Sequence, residues 1–397
     1  MHPPASVNSG GETPENTDDS STVRTYRAWK GNNIFFLQGR LMFGPDVKSL
    51  IITIFLVVAP VAVFCAFVAR KLMVDFPQHF GYSILILVII HTVFVLIALL
   101  MTSGRDPGIV PRNLYPPVPV EYNESVGINF EEHPPRYIPR FKEVIINGIT
   151  VKVKYCHTCM LYRPPRCSHC SICDNCVERR DHHCTLLGQC IGLRNYRSFY
   201  VFIFSMTLLC LYIHGYCWVY IKGIQVSEEI SIWQAMKKTP VSIALIVYYL
   251  ISGVYVGILT IFHTYLISTN QTTDEKIGYR SDPQISYDKG VIENFKEVFF
   301  SSTPPSKNNF RSKIPIPKEL SEYDNATDLS RMLHTEREHR QVASFQKDSL
   351  WEQSSKKLGI NLEVQDKIHD NESNWITHDN SNDPAEDSEK QSYKKHI

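Results

Sequence analysis

The chain has almost no net charge. Lys and Arg number 41 against 40 Asp and Glu over 397 residues, a formal charge of +1. Binding nucleic acid takes a basic excess to meet phosphate, so that class of partner is not expected. Charge is also missing locally. Residues 49–69 contain none, and residues 82–101 carry only His91. Residues 199–220 and 241–267 have the same make-up, with His214 and His263 as their only basic side chains. The mean hydropathy of −0.15 suits a soluble protein, but it averages over this segregation.

Each run reaches the roughly 20 residues that carry a helix across a bilayer. Buried helices of a soluble core are the alternative, and such helices rarely go so long without a charge. Pro60 is tolerable in the first run because a neighbouring helix can satisfy the carbonyl it frees. The histidines inside the runs read as neutral groups bonded to a neighbouring helix. The first 22 residues are polar and acidic, so no cleavable signal peptide is expected. Four spans put both termini on one side. Lys30, Arg40 and Lys48, with Arg105, Arg112, Arg194 and Arg197, outweigh Arg70, Lys71, Lys222, Lys237 and Lys238. This bias favours cytosolic termini and a cytosolic central segment.

Of eleven cysteines, eight crowd into one window: Cys156, Cys159, Cys167, Cys170, Cys173, Cys176, Cys184 and Cys190. Cys65, Cys210 and Cys217 fall in the apolar runs and read as small apolar residues. "CHTC", "CSIC" and "CDNC" are successive C-x-x-C units, a spacing that lets one tight turn offer two thiolates to a tetrahedral ion. His157, His169, His182 and His183 add imidazoles. A disulfide framework explains those histidines poorly, and intact thiolates imply a reducing compartment. Twelve donors exceed the eight that two closed tetrahedral sites use, so four are left over. Spacing alone does not say which four. A spare cysteine beside a histidine and an aspartate is what nucleophilic catalysis requires, and Asp181, His182 and Cys184 are close enough to share one turn. A membrane-anchored RING-type zinc module, or a four-span adaptor, is the rival reading; neither requires a spare nucleophile.

From "YCHTCMLYRPPRCSHCSICDNCVERRDHHC" through "GQCIGLRNYRSF" the sequence resembles the DHHC family of protein S-acyltransferases, also called palmitoyltransferases, and most closely its plant members. "TTDE" (272–275) resembles the family's Thr-Thr-x-Glu motif. "YDKGVIENFKEVFF" (287–300) resembles its C-terminal motif, with Asn294 at the asparagine position. "YRAWKGNNIFFLQGRLMFGPD" is similar to the opening of plant members. The resemblance covers roughly residues 25–305.

That resemblance implies an all-α polytopic membrane protein: four transmembrane helices with a small zinc-stapled cytosolic Cys-rich domain between the second and third spans. The organisation expected is a cytosolic N-terminal segment (1–48), two spans (49–101) and a cytosolic loop (102–198) holding the Cys-rich domain from about residue 154. Two further spans (199–268), the cytosolic motifs (269–305) and a disordered tail (306–397) follow. Two structural zinc ions are implied, the first on Cys156, Cys159, His169 and Cys176. The second falls on Cys170, Cys173, His183 and Cys190. Left over are His157, Cys167, His182 and Cys184. The resemblance makes Cys184 the nucleophile, His182 the base and Asp181 its orienter, steadied by Thr273.

The implied reaction moves a long-chain acyl group from palmitoyl-CoA, or a similar acyl-CoA co-substrate, to cysteines of membrane-associated proteins on the cytosolic face. It is ping-pong through an acyl-Cys184 intermediate, and an accessory subunit is compatible with it. The chain departs from the family at Thr185, Leu186 and Leu187, where most members read Pro-Trp-Val; activity is expected, with turnover or chain-length preference altered. Residues 152–200 hold eight Lys and Arg against three acids, a bias suited to CoA phosphates and anionic headgroups. Asn123, Asn325 and Asn371 match the glycosylation pattern and are expected to stay unmodified in the cytosol. The "KKHI" at 394–397 resembles a dilysine retrieval signal, favouring endoplasmic reticulum or Golgi-derived membranes over the plasma membrane.

Overall fold

A computed structural model describes residues 22–75, 78–117, 138–146, 148–277 and 286–315. All of them lie in one compact unit, Met1–Ser321. The three glycosylation patterns and the KKHI stretch lie outside the described residues.

Four helices are long and apolar enough to cross a membrane: Val47–Val74, Gly81–Ser103, Tyr196–Ser227 and Pro240–Ser268. The protein is a multi-pass membrane protein on that ground. The first span is α1 (Val47–Phe64), a π-helical turn at Cys65–Ala69 and α2 (Arg70–Asp75); the second lies in α3 (Gln78–Ser103). The third is α4 (Tyr196–Ser227), and the short α5 (Ile232–Lys238) leads into α6 (Pro240–Ser268), the fourth. The helices overrun the apolar runs because nothing in the flanking residues breaks them.

Helix α4 is the hub. Leu209, Ile213, Cys217 and Ile221 recur every four residues along one ridge and are fully buried against the neighbouring spans. Cys210 and Cys217 are therefore packing residues, as their setting in the sequence implies. Pro60 has no N–H to give the carbonyl four residues back, that of Leu56. The Tyr248 hydroxyl of α6 donates to that carbonyl at 2.6 Å, so a neighbouring helix supplies the missing bond.

Outside the spans the chain forms short β-hairpins. Strand β1 (Thr22–Arg24) pairs with β11 (Lys313–Pro315), and β2 (Ile34–Phe36) pairs with β3 (Leu41–Phe43). The cysteine-rich segment supplies β4 (Phe141–Ile146), β5 (Ile149–Cys156) and β6 (Leu161–Tyr162) as one antiparallel sheet. Two hairpins follow, β7 (Cys167–Cys170) with β8 (Asn175–Glu178), and β9 (His182–Cys184) with β10 (Gln189–Ile191). Helices α7 (Thr273–Ile277) and α8 (Val291–Phe300) close the description.

The polar tail begins later than residue 306. Phe310 is buried against Trp29 and Phe35, with ring centroids 5.1 and 5.3 Å away, and β11 docks beside it. One aromatic with a ready cage orders the stretch in spite of its polar composition.

Phe replacing Tyr248 should cost about 1 kcal/mol, the scale of an interhelical hydrogen bond in a membrane. In a Pro60→Ala background, where the helix satisfies Leu56 itself, that cost should vanish. Denaturation in detergent, run as a double-mutant cycle, checks it.

Candidate active site

Two clusters of four donors form, Cys156, Cys159, His169 and Cys176, and Cys170, Cys173, His183 and Cys190; the donor atoms of each lie within 4.8 Å of one another. The sets interleave in sequence because β7 carries His169 to the first and Cys170 to the second. Met160 and Asp174, each following a C-x-x-C unit, share a left-handed φ of 52°, so the two knuckles turn alike. Nδ1 of His183 is 3.7, 3.3 and 3.6 Å from the sulfurs of Cys170, Cys173 and Cys190. Nδ1 of His169 is 3.5 and 3.8 Å from those of Cys159 and Cys176. A tetrahedral ion with ordinary Zn–S and Zn–N lengths sets such nitrogens and sulfurs about 3.6 Å apart. Electrostatics agree with that fit. Bonds from the Cys159 and Cys176 thiols drive Cys156 well below its ordinary pKa, and the Cys156 bond in turn pushes Cys159 far above it. Such a cluster accepts one negative charge and resists more, a conflict that a divalent cation removes.

Strand β9 divides its three residues. Side chains alternate along a strand, so His183 faces the second cluster while His182 and Cys184 share the opposite face. A strand thus does the work expected of a turn. Cys184 belongs to neither cluster and is half-buried. His182 Nδ1 lies 2.6 Å from Oδ2 of Asp181, a fully buried carboxylate. Thr273 donates to Asp181 twice, from its backbone N–H at 2.9 Å and its hydroxyl at 2.8 Å. Burial opposes the charged form of Asp181, but the His182 bond and charge win, holding the carboxyl below its ordinary range. Burial likewise opposes a charged His182, and bonds to Asp181 and Cys184 outweigh it, raising the imidazole to about 9.

The "TTDE" stretch is a capping box. Thr272 N–H donates to the Glu275 carboxylate at 2.8 Å, and Glu275 N–H returns a bond to the Thr272 hydroxyl at 3.2 Å. This opens α7 and aims Thr273 at Asp181. Glu275 also takes a bidentate pair from Arg166 of "RPPR", at 2.6 and 2.7 Å, and Arg166 lies over the Tyr287 ring. Asn294 is fully buried; it donates to Ser268 O at the end of α6 and accepts from Lys289 N–H. His263 accepts or donates at Nδ1 with the Tyr196 hydroxyl of α4, 3.1 Å away, so it too is bonded to a neighbouring helix.

Half of the basic residues of 152–200 are spent on internal ion pairs. Arg166, Arg179, Arg180 and Arg194 pair with Glu275, Glu297, Asp274 and Asp106. Cys184 instead faces a cavity of about 420 Å³ between α1, α4 and α6, a size typical of ligand sites, which run roughly 300–1,000 Å³. Val57, Ile203, Met206, Val256 and Leu259 line it, with His182 at one end.

Residues 149–280 match the family model described as DHHC palmitoyltransferase. The chain is 57% identical over 311 residues to probable protein S-acyltransferase 7 of Arabidopsis thaliana, covering 77% of this chain and 70% of the relative. It is 59% identical over 294 residues to probable protein S-acyltransferase 6 of the same plant, covering 74% and 71%. With protein S-acyltransferase 8 the identity is 54% over 297 residues, covering 74% and 73%. The chain belongs to the DHHC palmitoyltransferase family. It is a protein S-acyltransferase of the plant type.

In this S-acyltransferase Asp181, His182, Cys184 and Thr273 converge on one point, and the eight cysteines and histidines singled out as ligands form the two clusters. The leftover His157 is exposed beside Tyr155, and Cys167 is buried near Cys176. Where family members carry Pro-Trp-Val, Leu187 is buried in the core while Thr185 and Leu186 are exposed at the cavity. Sequence reading missed the arginine–carboxylate pairs, whose partners stand about a hundred residues apart.

Arg166 and Glu275 have side chains only 11% and 13% exposed. Removing one charge from such a pair strands the other, so Glu275→Gln should cost about 3 kcal/mol. A fall in melting temperature with the metal content retained is the expected result.

Proposed function

We propose that the protein transfers a long-chain acyl group from acyl-CoA to cysteine thiols of membrane-associated proteins, in two steps through an acyl-Cys184 intermediate. One observation carries the reading: Cys184 stands outside both sulfur clusters, beside His182, and lines an apolar cavity between spans. In the first step His182 holds the Cys184 proton and the thiolate attacks the thioester carbonyl. The carbon–sulfur bond to CoA breaks, and the CoA sulfur takes the proton back from His182. In the second step a substrate thiol gives its proton to His182 and attacks the acyl-Cys184 carbonyl, freeing Cys184. One thioester replaces another in each step, so the enzyme contributes position and proton control rather than driving force. Asp181 supports this role by orienting His182 and stabilising its charged form.

The acyl chain belongs in the cavity, since each methylene kept from water contributes about 0.8 kcal/mol. Both Cys3His sets fit zinc, and four protein donors close each site, which makes the ions structural cross-links of the hairpins. The reduced cysteines and the flanking basic residues favour the cytosolic face for the module, and with it substrates whose cysteines lie on that face.

Purified protein incubated with labelled palmitoyl-CoA should acquire one hydroxylamine-sensitive label. Cys184→Ser should lose the label and keep two zinc ions, and Asp181→Asn should slow labelling about 100-fold. Loss of zinc from the Cys184 variant contradicts the reading. For Cys156→Ser the expectation reverses, with metal lost and the module destabilised.

A further inference from the structure

Asp46 occupies the N-cap of α1, where an aspartate ordinarily accepts a bond from the first turn of its own helix. Its side chain makes no such bond. Oδ2 lies instead 3.0 Å from Nε2 of His183, whose other ring nitrogen is the one that faces the sulfurs of the second cluster. Two turns further along α1, the Thr53 hydroxyl donates to the carbonyl of Leu186 at 2.7 Å. Next to these two tethers, just before Asp46 and just after Leu186, the backbones touch. A Cβ on Gly44 would fall 2.1 Å from the Gly188 carbonyl oxygen, and one on Gly188 would fall 2.6 Å from that of Asp46. The first span thus grips the chain at residue 183, just before Cys184, and at residue 186, just after Thr185.

We propose that Asp46 is a positioning residue acting through His183. A carboxylate on the far nitrogen of a metal-bound imidazole fixes its tautomer and ring orientation and strengthens it as a ligand. Here that carboxylate caps a membrane-spanning helix, so the second metal site, the strand carrying the nucleophile and the wall of the acyl cavity are held by one helix. Thr53 completes the grip on the exposed Thr185–Leu186 segment. The first cluster is built differently: His169 Nε2 faces Asp174 of its own hairpin, 3.6 Å away, and a salt bridge to Arg112 competes for that carboxylate. The inference rests on His183 as a ligand and Cys184 as the nucleophile.

The test uses the full chain, loaded with zinc and purified in detergent, with two readouts. The first is zinc release to a metallochromic chelator. The second is single-turnover acylation, resolved into maximal rate and half-saturating palmitoyl-CoA. Asp46→Ala should release one of the two ions at least about tenfold faster than the unaltered chain, the effect expected of an outer-shell carboxylate. Asp46→Asn, which keeps the shape and an acceptor but no charge, should fall between, and it carries the test if the alanine variant does not fold. Thr53→Val should release zinc normally and acylate more slowly at unchanged half-saturation. Release at the unaltered rate from both Asp46 variants overturns the proposal. If the unaltered chain holds two zinc ions and takes no label, the enzymatic reading fails while the release experiment still decides the role of Asp46.

Discussion

A three-residue strand imposes the constraint on which the site depends. Backbone extended through His182, His183 and Cys184 must send alternate side chains to opposite faces. The middle histidine, His183, thereby faces sulfur, while His182 before it and Cys184 after it share the side that opens toward the membrane-spanning helices. A helical turn would scatter the three around a cylinder and lose the separation between the cluster-facing histidine and the cavity-facing cysteine. Pairing with β10 enforces the extension, and Cys190 on that partner strand sits opposite His183 and joins the same cluster.

Around this strand the fold gathers groups from distant parts of the chain onto a few buried polar nodes. Asp181 is tied to the start of α7, Arg166 to Glu275 and Asn270, and Asn195 to the end of α3 and to β10. Bonds of this kind strengthen in a dry interior and are costly to leave unmade. The motif around "TTDE" acts by ordinary helix physics. Its first threonine and its glutamate cap the helix, which frees the second threonine to serve the carboxylate of another segment.

Much of this was legible in the residues. The absence of charge over four runs located the spans, since each buried or lipid-facing ion carries a large penalty. Counting donors against the capacity of two tetrahedral sites left a surplus of four without saying which, and the family pattern then placed Cys184 among them. Other features were closed to sequence reading. C-x-x-C spacing describes a turn and is silent on the strands either side, so the hairpins were not foreseen. Asp46 looks like the start of a helix, and nothing local marks its reach to residue 183. The excess of arginines reads as a surface for anions until their carboxylates, far away in sequence, come into place. Phe310 lies in a polar stretch whose composition hides the aromatic cage formed by Trp29 and Phe35.

The sharpest check is the zinc X-ray absorption spectrum of the protein before and after loading with palmitoyl-CoA. Three sulfurs and one imidazole per ion, unchanged by acylation, is the predicted result. A resting spectrum richer in sulfur that loses a ligand on loading would mean that Cys184 coordinates metal, and would contradict the division of labour along the strand.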